Sequence, residues 1–200
     1  MKVVLPRLGS RRHRSTGPAS SLARFDLRVD RWFEVLRDRS VADGLFYGAS
    51  ALGDHGLIWV FLAALRGLRS EHDWHAAVRT ATALAGETVL VNAGIKSLFQ
   101  RTRPFVDTPH PRRLRQPRTS SFPSGHATSA FMAATLLSED DPLWPLYYAT
   151  AVVVASSRVH VRIHHASDVV GGTVIGLVMG RLIRHLAPLP IRPVRPFGNA

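Results

Sequence analysis

The sequence predicts an all-α fold: a membrane-embedded antiparallel bundle of about five to six helices with a site at one end. Three observations carry this expectation. Apolar segments of helical length recur between residues 45 and 186, each ending at a charge cluster or a Gly/Pro break. The last segment places Gly172, Gly176 and Gly180 at four-residue spacing, which lets helices pack closely in lipid. Residues of β character are confined to VVVA at 152–155 and VHVRI at 159–163, both short and set among segments of helical length.

Residues 1–23, rich in Arg, Ser, Gly and Pro, predict a flexible basic tail. Their one apolar run, VVL, is far too short for the core of a secretory signal, and no such core follows Arg11 and Arg12. Residues 24–39 mix Phe25, Leu27, Val29, Trp32, Phe33, Val35 and Leu36 with alternating charges. An amphipathic helix of that kind suits a bilayer interface and core packing equally. Leu45 to Leu68 is interrupted by GDHG at 53–56 and reads as one broken helix or two short ones.

Ala76 to Phe99 would be ~36 Å long as a helix, enough to cross a bilayer, although Glu87 sits near its middle. Phe122 to Ser138, Pro142 to Ser157 and Ala166 to Leu186 follow, the last ~31 Å long. Two of these fall short of the roughly twenty residues of a straight spanning helix, which leaves a buried soluble bundle as the alternative. Residues 24–187 form the expected helical-bundle domain, and 188–200 a Pro/Arg-rich tail.

Two hundred residues, 46% of them hydrophobic, suit one domain with a sizeable core. The absence of Cys removes disulfides, thiolate catalysis and Cys-based metal sites. A formal net charge of +12 points to nucleic acid, an anionic membrane surface or phosphorylated molecules without choosing among them. Nearly all the basic residues are Arg; the only lysines are Lys2 and Lys96.

In an antiparallel bundle with short connections, the end of one helix and the start of the next share a face. Lys96 closes the second apolar segment with Arg103 just past it, Ser124, Gly125 and His126 open the next, Arg158 closes the one after, and His164 with Asp168 begin the last. All of them are therefore expected at one end. Guanidinium forks and a helix N-terminus with free N–H groups suit a phosphate. His164 and Asp168, four apart, allow the carboxylate to orient one imidazole nitrogen and leave the other basic, with His165 as a competitor for the same carboxylate. A divalent metal is disfavoured, because Lys96, Arg103 and Arg158 would repel it.

Three spaced motifs then stand in order: Lys96, six residues, Arg103-Pro104; Pro123-Ser124-Gly125-His126; and Ser157-Arg158, five residues, His164, three residues, Asp168. Together they resemble the signature of the type-2 phosphatidic acid phosphatase superfamily, whose members include lipid phosphatases, bacterial non-specific acid phosphatases and vanadium haloperoxidases. The resemblance spans roughly residues 45–186. It implies that His164 attacks phosphorus to form a phosphohistidine while Asp168 holds its ring. It further implies that His126 protonates the departing alkoxide and later activates water, with Lys96, Arg103, Arg158, Ser124 and the Gly125 amide gripping the non-bridging oxygens.

No metal or cofactor is expected. The length of the chain and its N-terminus fit the membrane lipid phosphatase branch, with a polyprenyl phosphate, polyprenyl diphosphate or phosphatidic acid type lipid as substrate and no nucleic acid partner. If residues 45–68 cross once, the N-terminal tail and the 100–122 and 158–165 loops share a side. Positive-inside reasoning makes that side cytoplasmic, in a cell (inner) membrane. The rival reading is a basic membrane- or nucleic-acid-binding protein that uses RRLRQPR at 112–118 without hydrolysis.

Overall fold

The structure, a computed structural model, describes residues 20–104 and 119–191. Residues 1–19, the 105–118 part of the loop that includes RRLRQPR, and 192–200 lie outside the described residues. Every regular element among the described residues is helical, so the two runs of β character lie in a helix and the turn after it.

Helix α1 (Ser21–Glu34) starts where the Ser20 hydroxyl accepts from the Ala23 N–H at 3.2 Å. It begins three residues inside the expected tail and ends five residues before Arg39. Asp38, at φ 63°, turns the chain into α2 (Ser40–Gly53). The GDHG interruption is a kink in one rod: His55 and Gly56 take left-handed φ values of 57° and 69°, and α3 (Leu57–Gly67) continues beyond them. The rod Ser40–Gly67 is long and apolar enough to cross a membrane, as is the last helix.

Helix α4 (Glu71–Val89) starts five residues earlier than the apolar pattern indicates, because Ser70 caps it by accepting from the Asp73 N–H. It does not run straight to Phe99. The backbone widens into a π-type turn over Leu90–Gly94 and tightens into a 3₁₀ turn over Ile95–Leu98. Such changes of winding rotate the following side chains, and here Lys96 is left buried.

Helix α5 (Gly125–Leu137) is the centre of the bundle. It is apolar all round and buried along most of its length, from Ala127 to Leu137. Helix α6 (Trp144–His160) begins with Pro145 in its first turn, where no N–H is needed. Helix α7 (Ala166–Leu186) packs on α5 through its glycines. A Cβ on Gly172 would come 2.5 Å from the Ser124 carbonyl oxygen, one on Gly176 2.4 Å from that of Thr128, and one on Gly180 2.6 Å from Thr135 Cβ. The opposite face of α7 leaves Val170, Val174, Val178, Leu182 and Leu186 at least half exposed. A face of that kind is solvated by lipid, and the protein is an integral membrane helical bundle.

At the end remote from the kink, fully buried Arg66 pairs with Asp73 at 2.9 Å and donates to the carbonyls of Leu137 and Glu139 at 2.7 and 2.8 Å. It thereby holds the α3–α4 turn to the end of α5. Losing this cation would leave Asp73 and Asp141 with Arg69 as their remaining cationic partner and the Leu137 and Glu139 carbonyls without this donor, which would destabilise the turn.

The Gly176→Ala variant is expected to lose about 1–3 kcal/mol, because the new methyl meets backbone that cannot rotate aside. Gly86→Ala, where a Cβ meets nothing within 4 Å, is expected to keep or gain stability. Unfolding of the two purified variants in detergent checks the contrast.

Candidate active site

A cavity of about 590 Å³ opens between the kink (Gly53, Asp54, His55, Gly56), the end of α4 (Glu87, Thr88), Lys96 of the 3₁₀ turn beyond it, the start of α5 (Gly125, His126, Ser129), Arg158 and His164. Of the predicted residues, Lys96, Gly125, His126, Arg158 and His164 line it directly. Arg103 reaches it through His164, and Asp168 lies behind His164 with no exposure.

His164 sits in the α6–α7 loop, where Arg162 takes a left-handed φ of 52° and the N–H groups of Ile163 and His164 both donate to the Arg158 carbonyl, at 3.2 and 3.1 Å. Its Nε2 is 3.2 Å from Arg103 Nη1. A guanidinium has no lone pair, so Nε2 must be the acceptor, which leaves the ring proton on Nδ1. Nδ1 faces Asp168 Oδ2 at 3.6 Å, a little beyond hydrogen-bond length. Burial pushes the His164 pKa down to about 3, with Arg158 and Arg103 adding to the effect and Asp168 opposing it. The imidazole is therefore neutral at any ordinary pH, with a basic nitrogen facing the cations.

Asp168 is held from all sides. Its Oδ1 accepts from Arg101 at 2.6 Å, and its Oδ2 accepts from the Ser121 hydroxyl and from the His165 N–H at 2.9 Å. The competition expected from His165 takes another form: its backbone binds the carboxylate, while its ring lies 3.2 Å from the Thr102 carbonyl. Arg101 also reaches Asp26 of α1 at 2.6 Å, and Asp26 caps α7 by accepting from the Ser167 N–H and hydroxyl at 2.8 and 2.9 Å. Arg103 is fixed by the carbonyls of Ile163, Thr119 and Ser120 at 3.0–3.3 Å.

On the facing wall, Ser124 is the N-cap of α5 and its backbone N–H donates to the Asp168 carbonyl at 3.1 Å. Its buried hydroxyl has no partner among the described residues. Lys96 lies against Gly125, where a Cβ would stand in ordinary contact with Nζ at 3.5 Å. Arg158 donates to the Ser50 hydroxyl. His126 Nε2 lies 3.0 Å from Asp54 Oδ1, and its ring is also hydrogen-bonded to the backbone of Ser50. Gly53 is required beside it, since a Cβ would come 2.7 Å from the ring and 2.9 Å from Val154. Glu87 accepts from Ser129 at 2.7 Å and balances part of the Lys96 charge.

Among the described residues no three His, Cys, Asp or Glu side chains converge as a metal set. The groups that do converge are cations, imidazoles and a helix N-terminus, a set whose chemistry suits a tetrahedral oxyanion. Lys96, Gly125, Arg158 and the two histidines, with Arg103 behind His164, thus meet from three separate stretches of chain, and Ser124 stands beside them as the N-cap of α5.

The family model of the PAP2 superfamily matches residues 76–191, more than half of the chain. The chain belongs to that superfamily. It is a phosphatase of that family. Its sequence is 33% identical over 142 residues to decaprenylphosphoryl-5-phosphoribose phosphatase of Mycobacterium tuberculosis, covering 68% of this chain and 75% of the relative. It is 34% identical over 103 residues to the putative undecaprenyl-diphosphatase YbjG of Escherichia coli, covering 50% of this chain and 52% of that one. Aquifex aeolicus LpxE has a similar structure, with a TM-score of 0.64 at 25% identity over 80% of this chain and 94% of that one. The transmembrane PAP2 type phosphatidylglycerolphosphate phosphatase of Bacillus subtilis shares the fold, with a TM-score of 0.58 at 22% identity over 80% and 83% of the two chains.

In this PAP2 protein, sequence reasoning missed Asp54, Arg101, Asp26 and Ser121. Asp54 had a signal, an acid between glycines at the helix interruption. Arg101 had another, as an extra cation two residues before Arg103. Asp26 and Ser121 had none, because their partners are distant in sequence. His160, which carried no expected role, packs on Phe46 with ring centroids 4.5 Å apart and pairs with Asp43 at 2.7 Å.

His164 is expected to stay neutral from about pH 8 to about pH 5, across the ordinary imidazole range, since its pKa lies below that window. The side-chain ¹⁵N shifts that disappear in His164→Asn would report this, and a titration near the ordinary value would contradict the burial argument.

Proposed function

We propose that this protein hydrolyses a phosphate monoester or diphosphate of a membrane lipid through a phosphohistidine, without a metal. The observation that carries the reading is His164. It is a neutral imidazole, backed by Asp168, with its basic Nε2 among Arg103, Arg158 and Lys96 in a cavity that also holds His126.

In the first step the Nε2 lone pair forms the N–P bond as the bond from phosphorus to the leaving oxygen breaks, and His126 gives that oxygen its proton. The positive charge that develops on the His164 ring, which keeps its Nδ1–H, is stabilised by Asp168. In the second step His126 removes a proton from water, the hydroxide attacks phosphorus, and the P–N bond breaks to return neutral His164 and phosphate. Lys96, Arg103, Arg158, the Ser124 hydroxyl and the Gly125 N–H hold the non-bridging oxygens throughout. Fixed cations supply the charge that a metal provides elsewhere, and they would repel one here. Asp54 lies 3.0 Å from Nε2 of His126, where it orients the ring and favours its protonated form until the leaving oxygen takes up that nitrogen's proton.

The relatives named for decaprenyl and undecaprenyl phosphates support a polyprenyl carrier as the lipid. The cavity wall formed by Val60, Ala81, Leu84 and Ala85 offers an apolar surface beside the polar end. If the kinked α2–α3 rod, long and apolar enough to span, crosses once, the N-terminal side and the site share a face, which positive-inside reasoning makes cytoplasmic.

The His164→Ala variant is expected to fold normally and to lose phosphate release from polyprenyl phosphates and phosphatidic acid. Vanadate is expected to inhibit the wild type and EDTA to leave it unchanged; undiminished turnover by the variant would remove the mechanism. Asp54→Asn is expected to lower kcat by about 10²-fold, the lower end of what positioned acid–base catalysis contributes, with KM unchanged and partial rescue in Asp54→Glu. A change confined to KM would assign Asp54 to substrate binding instead.

A further inference from the structure

Helix α1 presents three faces, of which the mechanism uses one. Leu22, Phe25, Val29 and Trp32, spaced by three, four and three residues, form a single stripe. Along it Leu22, Phe25 and Trp32 are 53%, 40% and 68% exposed. About a third of a turn away, Arg24, Arg28 and Arg31 form a second exposed stripe. The third face holds Asp26, Asp30 and Phe33 and is turned to the protein: Asp26 binds Arg101 and Ser167, Asp30 pairs with Arg37, and Phe33 packs on Phe46 and His160.

We infer that α1 is a bilayer-docking helix, with its apolar stripe seated among the acyl chains just below an anionic headgroup layer and its arginines on the lipid phosphates. Charge and continuity both favour this occupant. Three arginines flank the stripe without an acid among them on that face, so anionic headgroups complement it. The apolar surface also continues beyond the helix: Val35, Leu36, Val41 and Leu45 are all exposed, and the last two belong to the membrane-crossing rod. Trp32, large and amphipathic, is the residue type that settles at such a boundary.

Seating would bear on the reacting groups through Asp26. That carboxylate is the one buried residue of α1, and Arg101 links it to Asp168 through two contacts of 2.6 Å. A bilayer that holds α1 in place holds the cap of α7 and the orientation of Asp168 with it. This coupling rests on the catalytic reading above; the docking does not.

The chain has no cysteine, so single probes can be placed cleanly. Phe25→Cys, Trp32→Cys and Arg31→Cys would each carry an environment-sensitive fluorophore in nanodiscs of phosphatidylcholine and phosphatidylglycerol containing lipids spin-labelled on the upper acyl chain, below the headgroup. Strong quenching is expected at 25 and 32 and several-fold weaker quenching at 31. Probes at 25 and 32 that report water, or equal quenching at all three positions, would overturn the docking. Omitting phosphatidylglycerol is expected to weaken quenching at 25 and 32, and identical quenching would overturn the part given to the arginines. The double variant F25D/W32D, which leaves every Asp26 contact in place, is expected to unfold like the wild type and to release phosphate several-fold more slowly in the discs. Wild-type turnover by that variant would overturn the coupling, whereas a wild-type protein without turnover would instead count against the catalytic reading, and the quenching pattern stands apart from both.

Discussion

A carboxylate removed from water must find its hydrogen bonds within the protein, and burial of Asp168 is the constraint on which the rest of the site depends. Its two oxygens collect donors from the segment after α4, from the chain before α5 and from the first turn of its own helix. Each donor fixes a piece of chain that also carries a site residue: Arg101 precedes Arg103, Ser121 precedes Ser124, and the His165 N–H follows His164. One buried charge therefore sets the relative positions of the groups around the cavity. The link through Arg101 to Asp26 extends the same constraint to a helix at the edge of the bundle.

The cavity is electrostatically incomplete. Lys96, Arg103 and Arg158 are brought together in a partly desolvated space, where like charges repel more strongly than in water. Glu87, Asp54 and Asp168 offset some of that repulsion from behind and beside the cations. A dianionic phosphate would meet fixed positive charge and N–H groups that need little reorganisation, which is the condition under which electrostatic stabilisation is most effective. Burial is the main reason that His164 is neutral, and the same surplus of positive charge from Arg158 and Arg103 adds to it.

The bilayer explains features that would be faults in a water-soluble bundle. The outer face of α7 is a row of exposed Val and Leu, while its inner face is glycine. In lipid there is little hydrophobic gain in bringing helices together, so close backbone approach and van der Waals contact must hold α7 to α5. That closeness also brings the N-termini of α5 and α7 together, with the Ser124 N–H on the Asp168 carbonyl.

The all-α class, the last helix with its glycine stripe, and the set of residues that meet at one end were legible in the sequence, because periodicity and the order of helix ends are local properties. The winding change that buries Lys96, the early Ser70 cap and the kink made by Asp54, His55 and Gly56 were legible only as irregularities. Local pattern does not say whether a break becomes a turn or a bend in one rod; the packing of Gly53 against His126 decides that. The partners of the proposed catalytic groups were decided by tertiary structure alone. Asp26 and Arg101, 75 residues apart, and Ser121 and Asp168, 47 apart, meet because folding closes long loops around buried charges. Spacing along a chain carries no record of such contacts.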